Sequence, residues 1–495
     1  TFSHKDFDLP GALPLVWERR YRSRLSAYDG SELGARWITP YTTRIDIKGD
    51  QWIYRDAEGR SIEYRALAAG EVHDDLSEKL TLSRLDDTWL TVAYGHVALH
   101  VYERRGDVFR LAMQKDRAGN AITLDYDALD RLARLIDASG NVLAFEHDRH
   151  GRIVQIEQVL KDGERRTLAS YEYDGMGDLV RAVDRHGNAR TYQYHRHLVT
   201  RYTDRTGRGM TLEWDGADAD DNANAKCVRE YADDGSLDIR LAWNPNIRLT
   251  YVTDALGQMT RYYFNIHGYV YRVVYPDGNE EWFRRDEHHN LVLHIRQDGS
   301  VERMEYDARG NMVRHERVDG TVVEMAYDDK NQMIRVVDPS GYVWHRKYDD
   351  AGNLVEMLDP LEQATAYSYN DKGLPTRVID AKGGSKAIEY NDAGQLTSYT
   401  DCSGKKTEWR YDDIGRVIEA KDASGGVTAY GYGQNGQLAE IRSPAGLEQM
   451  HHDAEGRLLR HTDQLNRSIR YSYDAVGRIA SRTGGLYRAA LSTGD

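Results

Sequence analysis

The stretch Lys406-Thr407-Glu408-Trp409-Arg410-Tyr411-Asp412-Asp413-Ile414-Gly415 decides the fold, because it joins one strand pattern to one turn pattern. Thr407, Trp409 and Tyr411 would lie on one face of a strand and the charged residues on the other. Alternation at period two, with β-branched and aromatic residues, predicts a half-buried strand. The Asp-x-x-Gly that follows predicts a tight turn, because aspartate accepts bonds from backbone amides and glycine tolerates a positive φ.

The same unit recurs along the chain. From Tyr306-Asp307 to Tyr432-Gly433 it returns six times in steps of 21 residues, and further copies precede and follow. A second Asp-x-x-Gly turn, such as Asp422-Ala423-Ser424-Gly425, lies about midway in each unit. We call the two turns the Tyr-Asp turn and the mid-repeat turn. Each unit is predicted to be a β-hairpin within an antiparallel meander. The structural anchors of the repeat are Tyr306, Asp307, Gly310, Tyr348, Asp349, Gly352, Tyr411, Asp412, Gly415, Tyr473, Asp474 and Gly477.

The regularity of the repeat divides the chain. An opening segment with the first strands fills residues 1–100, degenerate repeats fill 101–240, regular 21-residue repeats fill 241–483, and a non-repeat tail fills 484–495. A polar insertion near 215–226 predicts a surface loop. Because strands twist with a fixed hand, so long a ribbon must coil or close. We predict an all-β fold, an antiparallel β-hairpin array coiled into a hollow, barrel-like shell, although the period alone would also permit a solid solenoid.

Composition agrees with an array and excludes several classes of protein. Tyr is abundant at 34 residues while Phe numbers 6, which predicts rings on sheet faces with hydroxyls that reach water or backbone. The formal net charge of −14 argues against a nucleic-acid surface. Cys227 and Cys402 are the only cysteines, so a disulfide framework is not expected. No apolar run of membrane-spanning length and no signal peptide is visible, so membrane insertion by this segment is not expected.

The repeat resembles the YD repeat of Rhs proteins and of their toxin-complex and teneurin relatives. The resemblance rests on the Tyr-Asp-x-x-Gly anchor, the mid-repeat turn and the spacing, from about residue 100 onward. Residues 8–17 (DLPGALPLVW) and 33–37 (LGARW) are similar to the segments that open the Rhs core of polymorphic toxins, except that Arg36 stands where a second glycine is usual. The resemblance implies a β cocoon that encloses a C-terminal toxin domain, often cleaved from the shell.

The resemblance also implies partners and a route. Many such shells are loaded through a PAAR-type domain onto the spike proteins of a type VI secretion machine. The chain would then be made in the cytoplasm and secreted by a contact-dependent machine, and a cognate immunity protein would bind the toxin rather than the shell.

The protease and toxin activities are expected in regions absent from this chain, so the shell segment itself is not expected to be an enzyme. The family's self-cleaving region carries paired Asp-Pro-x-Gly motifs. Here Asp338-Pro339-Ser340-Gly341 is the one such motif, and it lies in phase with the mid-repeat turns. A structural turn is therefore favoured over a protease, and the chain is expected to be an N-terminal portion of the shell.

No catalytic residue, metal site or cofactor is predicted. His288-His289 and His451-His452 lie in or beside turns, without the partners that a metal motif would supply. The acidic residues 215–222 lack the glycine and glutamate of a calcium loop. Carboxylates are too dense for any pair to be informative. The Tyr and Trp stripes could stack on sugars, but their lock to the repeat phase favours core packing.

Three functions remain to be separated. The first is a structural encapsulating shell of a bacterial Rhs polymorphic toxin, which sequesters a C-terminal effector and helps deliver it to competing cells. The alternative is a secreted or surface protein that uses its Tyr-rich sheet for adhesion or carbohydrate binding. A third is a polysaccharide-degrading enzyme, which would need one non-repeating acid pair in a groove. A flanking toxin domain would favour the first, and a signal or membrane anchor the second.

Overall fold

The computed structural model describes residues 1–160, 163–484 and 487–490, which form antiparallel strands joined by short turns. Among them no helix is long and apolar enough to cross a membrane. Three short 3-10 helices occupy Ser26–Tyr28, Asn222–Asn224 and Pro245–Ile247. Strands β1 to β3, in a sheet of their own, are Phe2–Leu9, Leu15–Tyr21 and Trp37–Ile38.

From Val72–Asp75 onward the strands of the large sheet pair in chain order. The three strands before it form a branch, which joins the sheet where Arg44–Lys48 pairs with Val108–Asp116. We divide the sheet into two winds. The first wind, β4 to β22, comprises Arg44–Lys48, Gln51–Arg55, Ser61–Arg65, Val72–Asp75, Leu80–Arg84, Trp89–Tyr94, Ala98–Arg105, Val108–Asp116, Ala121–Tyr126, Leu132–Ile136, Val142–His147, Ile153–Val159, Arg165–Tyr173, Leu179–Asp184, Ala189–His195, Leu198–Thr203, Gly209–Asp215, Lys226–Ala232 and Asp238–Asn244. The second wind, β23 to β46, comprises Leu249–Thr253, Met259–Phe264, Val270–Val274, Glu280–Arg285, Leu291–Ile295, Val301–Tyr306, Met312–Glu316, Val322–Tyr327, Met333–Val337, Val343–Tyr348, Leu354–Leu358, Ala364–Tyr369, Pro375–Ile379, Ser385–Tyr390, Leu396–Thr400, Lys406–Tyr411, Val417–Lys421, Val427–Tyr432, Leu438–Ser443, Gly446–His452, Leu458–Thr462, Ser468–Tyr473, Ile479–Gly484 and Tyr487–Ala490. The prediction of an antiparallel hairpin array is confirmed.

Most Tyr-Asp turns are closed by the side chain of their aspartate. The Asp307 carboxylate accepts hydrogen bonds from the backbone N–H groups of Arg309 and Asn311, both at 2.9 Å. Gly310 takes a φ of +80°, which disfavours any side chain. The strand register shifts at Tyr306, directly before the turn. Such a bulge accompanies hairpin loops whose last turn residue is left-handed, and it increases the local twist.

The repeat tyrosines tie each hairpin to the preceding one. The Tyr306 hydroxyl donates to the carbonyl oxygen of Leu291 at 3.0 Å, and Tyr411 does the same to Leu396 at 2.7 Å. The prediction that these hydroxyls reach the backbone is thus confirmed. The same bond, to the residue fifteen positions earlier, is made by Tyr126, Tyr194, Tyr327, Tyr348, Tyr369, Tyr390, Tyr432 and Tyr473.

The second wind stacks on the first along a line that we call the seam. At the seam, mid-repeat turns of the first wind meet Tyr-Asp turns of the second. Arg117 donates to the carbonyl oxygen of Gly352 at 2.9 Å, and Asn120 donates to that of Lys372 at 3.0 Å. These contacts join residues 235 to 266 positions apart, in the same order along both winds, from Arg117 to Arg208. The ribbon therefore coils, as predicted from the twist of its strands.

The stacking gives the size of the coil. Strands β12 and β34, which meet across the seam, are separated by about 22 strands. At about 4.8 Å per strand this makes a perimeter of about 105 Å, or about 33 Å across between backbones. The prediction of a coiled, hollow architecture agrees with this width, because one layer of inward side chains on each wall fills only part of it.

The N-terminal strands cover one face of the first wind. Trp17 donates its indole N–H to the hydroxyl of Tyr171, and Trp37 donates to Tyr194, both at 2.9 Å. The main cluster of buried apolar residues runs from Phe7 to Leu212 and is concentrated where these strands pack. The core therefore lies between β1–β3 and the first wind.

The polar insertion is not wholly a surface loop. Its first and last residues, Asp215 and Lys226, belong to paired strands β20 and β21. Asn222 is buried, and its side-chain oxygen accepts a hydrogen bond of 2.6 Å from Arg36. Arg36 has a φ of +64°, the conformation expected of the glycine that it replaces in the pattern.

The predicted tail, 484–495, is partly described. Gly484 ends β45, and Tyr487–Ala490 form β46 antiparallel to it. Residues 485–486 and 491–495 lie outside the described residues.

Candidate functional site: the concave face of the second wind

The two faces of the second wind differ in chemistry and in exposure. Trp344 is half-buried, whereas its neighbours Val343 and His345 point to the opposite face, where His345 is exposed. The exposed face carries ion pairs such as Lys347–Glu356, at 2.5 Å. Side chains on the inside of a curve converge and shield each other, so the less exposed face is the concave one. Apolar and aromatic side chains on that face are Met304, Met325, Trp344, Met357, Tyr367, Tyr399, Trp409, Tyr430, Met450 and Tyr471.

The concave face is covered in one wind only. In the first wind the N-terminal strands pack on it, and Tyr171 and Tyr192 are buried there. In the second wind no segment of the described chain lies over it, and nearly all its apolar side chains stay half-buried. The phase of the repeat predicted core packing for the Tyr and Trp stripes. In the structure these side chains pack in a core only in the first wind. In the second wind they form an apolar lining of the concave face.

A buried ionic cluster fastens the N-terminal strands to the wall. Arg19, with no exposed surface, donates to the Asp6 carboxylate at 2.6 Å, and Tyr171 donates its hydroxyl to the same carboxylate at 2.6 Å. Removing one partner of such a buried pair costs about 3–5 kcal/mol, because the other charge is left without compensation. The cluster therefore holds β1 and β2 in one position on the wall.

His4 belongs to the same contact. Its Nδ1 lies 2.7 Å from the hydroxyl of Tyr192. Burial lowers the pKa of His4 well below its usual value, and the nearby cations Arg190, Arg19 and Arg205 lower it further. Protonation of His4 therefore works against the docked position of β1.

The anchors fall into two environments. The turns that begin at Asp349, Asp412 and Asp474 contact the first wind or the N-terminal loop. For example, the carbonyl oxygen of Gly352 accepts a hydrogen bond from Arg117, and a Cβ built on Gly415 would lie 2.5 Å from Cγ of Pro10. The turn at Asp307 makes no seam contact within the described chain. The Tyr-Asp-x-x-Gly pattern of the sequence does not distinguish these four copies.

The seam residues were missed from the sequence. Arg190 and Glu455 form an ion pair of 2.5 Å with both side chains mostly buried, and the same glutamate accepts from the backbone N–H of Arg205. Arg166 pairs with Asp413 at 2.6 Å. The sequence contains one indication of the seam contacts, because arginine follows the turn aspartate in Asp116-Arg117, Asp184-Arg185 and Asp204-Arg205.

No group of three or more metal-ligating side chains occurs in the described residues. The acidic insertion instead bonds within the protein: the Asp221 carboxylate caps a 3-10 turn by accepting from the N–H of Ala223. The two cysteines are free, with Cys402 exposed, and burial raises the pKa of the Cys227 thiol to about 11. That thiol is therefore a poor nucleophile at neutral pH.

Comparison with known families assigns three parts of the chain. Residues 1–64 match a domain of unknown function, DUF6531. Residues 126–162 and 327–361 match the RHS Repeat. Residues 356–488 match the Teneurin YD-shell.

Individual proteins are similar over limited lengths. The "Double-stranded DNA deaminase toxin A" of Burkholderia cenocepacia (strain H111) is 28% identical over 171 residues, which are 34% of this chain and 10% of that protein. A crystal structure of TcdB2-TccC3-TEV is 11% identical with a TM-score of 0.47, over 97% of this chain and 35% of that one. A TcdB2-TccC3 structure without the hypervariable C-terminal region has 12% identity and a TM-score of 0.49, over 96% and 31%.

The chain thus spans about a tenth of the curated relative and about a third of these solved structures. The matched ranges fall in the opening segment, the degenerate repeats and the regular repeats. On these matches and the 21-residue hairpin repeat, the repeat region of the chain is similar to the RHS Repeat and to the Teneurin YD-shell.

Proposed function

We propose that this chain forms part of the wall of a shell. The shell would enclose a toxin domain and separate that domain from the cytoplasm of the producing cell. The observation that carries the proposal is the apolar concave face of the second wind, which no described segment covers. A half-buried apolar lining that no described segment covers is a candidate binding surface. A polypeptide held against it would bury that surface, while the charged convex face stays in water.

The wall also has the properties that confinement requires. Its strands are bonded edge to edge, and its winds are joined by ion pairs at the seam such as Arg190–Glu455. A coil about 33 Å across is too narrow for a folded domain of 100 residues plus a layer of wall side chains, since such a domain has a radius of gyration of about 13 Å. We therefore propose that the cargo is held in a partly unfolded state.

The nature of the cargo and its route are further parts of the proposal. A matched relative is named as a DNA deaminase toxin, which supports a toxic enzyme as cargo. We propose delivery to competing cells through the spike and PAAR-type proteins of a type VI secretion machine, synthesis in the cytoplasm, and a cognate immunity protein that binds the toxin. The shell segment itself would contribute no catalysis.

Size-exclusion chromatography of the full-length gene product, followed by a denaturing gel of the shell peak, tests the proposal. We expect a separate C-terminal polypeptide that co-elutes with the shell and parts from it only on denaturation. Protease added before denaturation should leave that polypeptide intact, and protease added in urea should digest it. A C-terminal polypeptide that elutes apart from the shell, or is digested at the same rate without urea, would contradict enclosure.

A further inference from the structure

A pocket of about 700 Å³ lies over strands β24 to β27, at the start of the second wind. It is lined by residues 265–295, including Tyr271, Trp282, Arg284 and Leu293. Trp282 pairs with Arg272 and Ile295, which belong to the face that becomes the charged, convex face in later repeats. The pocket is therefore distinct from the concave lining.

The repeats that form this pocket depart from the others at the residues that line it. At the positions equivalent to Trp282, in steps of 21 residues, later repeats have Arg303, Glu324 and His345. At the position of Tyr271 the next repeats have Val292 and Val313. A repeat array specifies its fold with the shared positions, so a cluster of departures is not needed for folding.

The two aromatic rings are held open to solvent. Trp282 is 38% exposed and Tyr271 is 37% exposed. Their ring centroids are 6.3 Å apart and tilted by 51°. The Trp282 indole N–H donates to Glu280 at 3.0 Å, and the Arg272 guanidinium stacks 4.8 Å from its ring centroid. The indole is thus fixed by its own strand neighbours, although part of its ring faces the pocket.

Polar groups with unused bonding capacity surround the rings. Within the described chain Arg284 has no hydrogen-bond or ion-pair partner, and the His267 ring contacts only the ring of His289, at 4.7 Å between centroids. The Asn265 side-chain oxygen is used by its turn, which leaves the amide nitrogen free. His289 has a φ of +65° where most Tyr-Asp turns have glycine. The sequence pattern predicted that His288 and His289 are solvated turn residues.

We propose that this pocket binds a saccharide. Tilted, half-exposed aromatic rings suit the C–H face of a pyranose, and isolated donors suit its hydroxyl or carboxylate oxygens. A nucleic acid would need several cations, but the lining holds two arginines, Arg284 and Arg285, of which Arg285 already donates to the carbonyl oxygen of His289. The chain also carries a net charge of −14. An entirely apolar ligand would leave Arg284 without a partner. Because the pocket lies on the convex side, the ligand would come from outside the shell.

The test is isothermal titration of the intact shell with two probes, a chitohexaose and a hexagalacturonate. Binding of the hexagalacturonate alone would assign Arg284 to the carboxylate, and binding of both would assign the pocket to the stacked ring. Trp282→Arg restores the residue type of the next repeat, so it should fold normally and weaken binding at least about tenfold. Trp89→Ala removes a tryptophan of similar exposure, 36%, outside the pocket and should leave the affinity unchanged.

Two results would overturn the proposal. One is a Kd above about 10 mM for both probes, which is too weak for a specific binding site. The other is equal affinity in the parent and in Trp282→Arg, since binding would then lie elsewhere on the sheet. Thermal unfolding of Trp282→Arg at the parent temperature excludes misfolding as the cause of lost binding.

Discussion

Valine variants at two glycines and one lysine can distinguish the backbone strain of a turn from the packing of that turn against the N-terminal loop. Gly415 and Gly425 have φ values of +84° and +90°, and Lys405 is an exposed turn residue. A Cβ on Gly425 would meet no atom within 4 Å, whereas a Cβ on Gly415 would lie 2.5 Å from Cγ of Pro10. Valine at Lys405 therefore adds no strain, valine at Gly425 adds backbone strain, and valine at Gly415 adds backbone strain and steric overlap.

The magnitudes follow from these environments. Lys405→Val should change the local stability by less than about 0.5 kcal/mol, as is usual for an exposed site. Gly425→Val should cost about 1–2 kcal/mol, because a side chain is forced into the left-handed region. Gly415→Val should cost about 1–3 kcal/mol more, since Pro10 must move.

Hydrogen exchange with mass spectrometry measures these differences locally, which suits a repeat protein that need not unfold in one step. Amides of residues 411–417 should exchange at least about 30 times faster in Gly415→Val, and residues 9–15 should also exchange faster. Gly425→Val should affect its own hairpin alone. Unchanged exchange at residues 9–15 in Gly415→Val would refute the contact between the N-terminal loop and the second wind.

Three further predictions concern the seam, the tyrosine bonds and the N-terminal strands. Glu455→Gln should weaken the contact with Arg190 by about 1.5–3 kcal/mol and speed proteolysis at turn 204–208. The control is Glu408→Gln, which breaks a half-exposed ion pair with Lys406 away from the seam; equal proteolysis rates in the two variants would contradict the seam. Tyr348→Phe should cost about 0.5–1.5 kcal/mol by removing its bond to the Met333 carbonyl, measured as faster exchange in residues 333–348, and unchanged exchange would contradict that bond. The folded-state pKa of His4 is lowered, so protection of residues 2–9 should be full above about pH 6.5 and fall as the pH decreases towards the folded pKa. His4→Gln should remove that pH dependence, and a dependence that persists would assign it to another group.

The hairpins could be predicted from the sequence because their causes are local. Asp307 and Gly310 close a turn with bonds that span four residues, and the alternation around Trp409 orients a strand without any distant partner. Coiling followed from strand twist, which is a property of every L-residue strand. The family resemblance then supplied the enclosed cargo as a hypothesis.

The remaining features depend on contacts between distant residues. The pair Arg190–Glu455 joins positions 265 residues apart, so no short window of sequence contains it. Arg36 was read as a departure from the pattern, but its guanidinium binds Asn222 in the insertion. Trp282 was assigned with the other aromatic residues to core packing, and its exposure could be seen only after its strand was placed in the sheet.

The central claim is that cargo lies against the concave face, and one cross-linking measurement tests it directly. A photoreactive benzoylphenylalanine at Trp344 would point into the coil, whereas the same group at His345 would point outward. We predict that irradiation of the full-length product joins position 344, and not position 345, to a C-terminal polypeptide. Cross-linking of the C-terminal polypeptide from position 345 alone, or from neither position while that polypeptide co-elutes with the shell, would contradict enclosure.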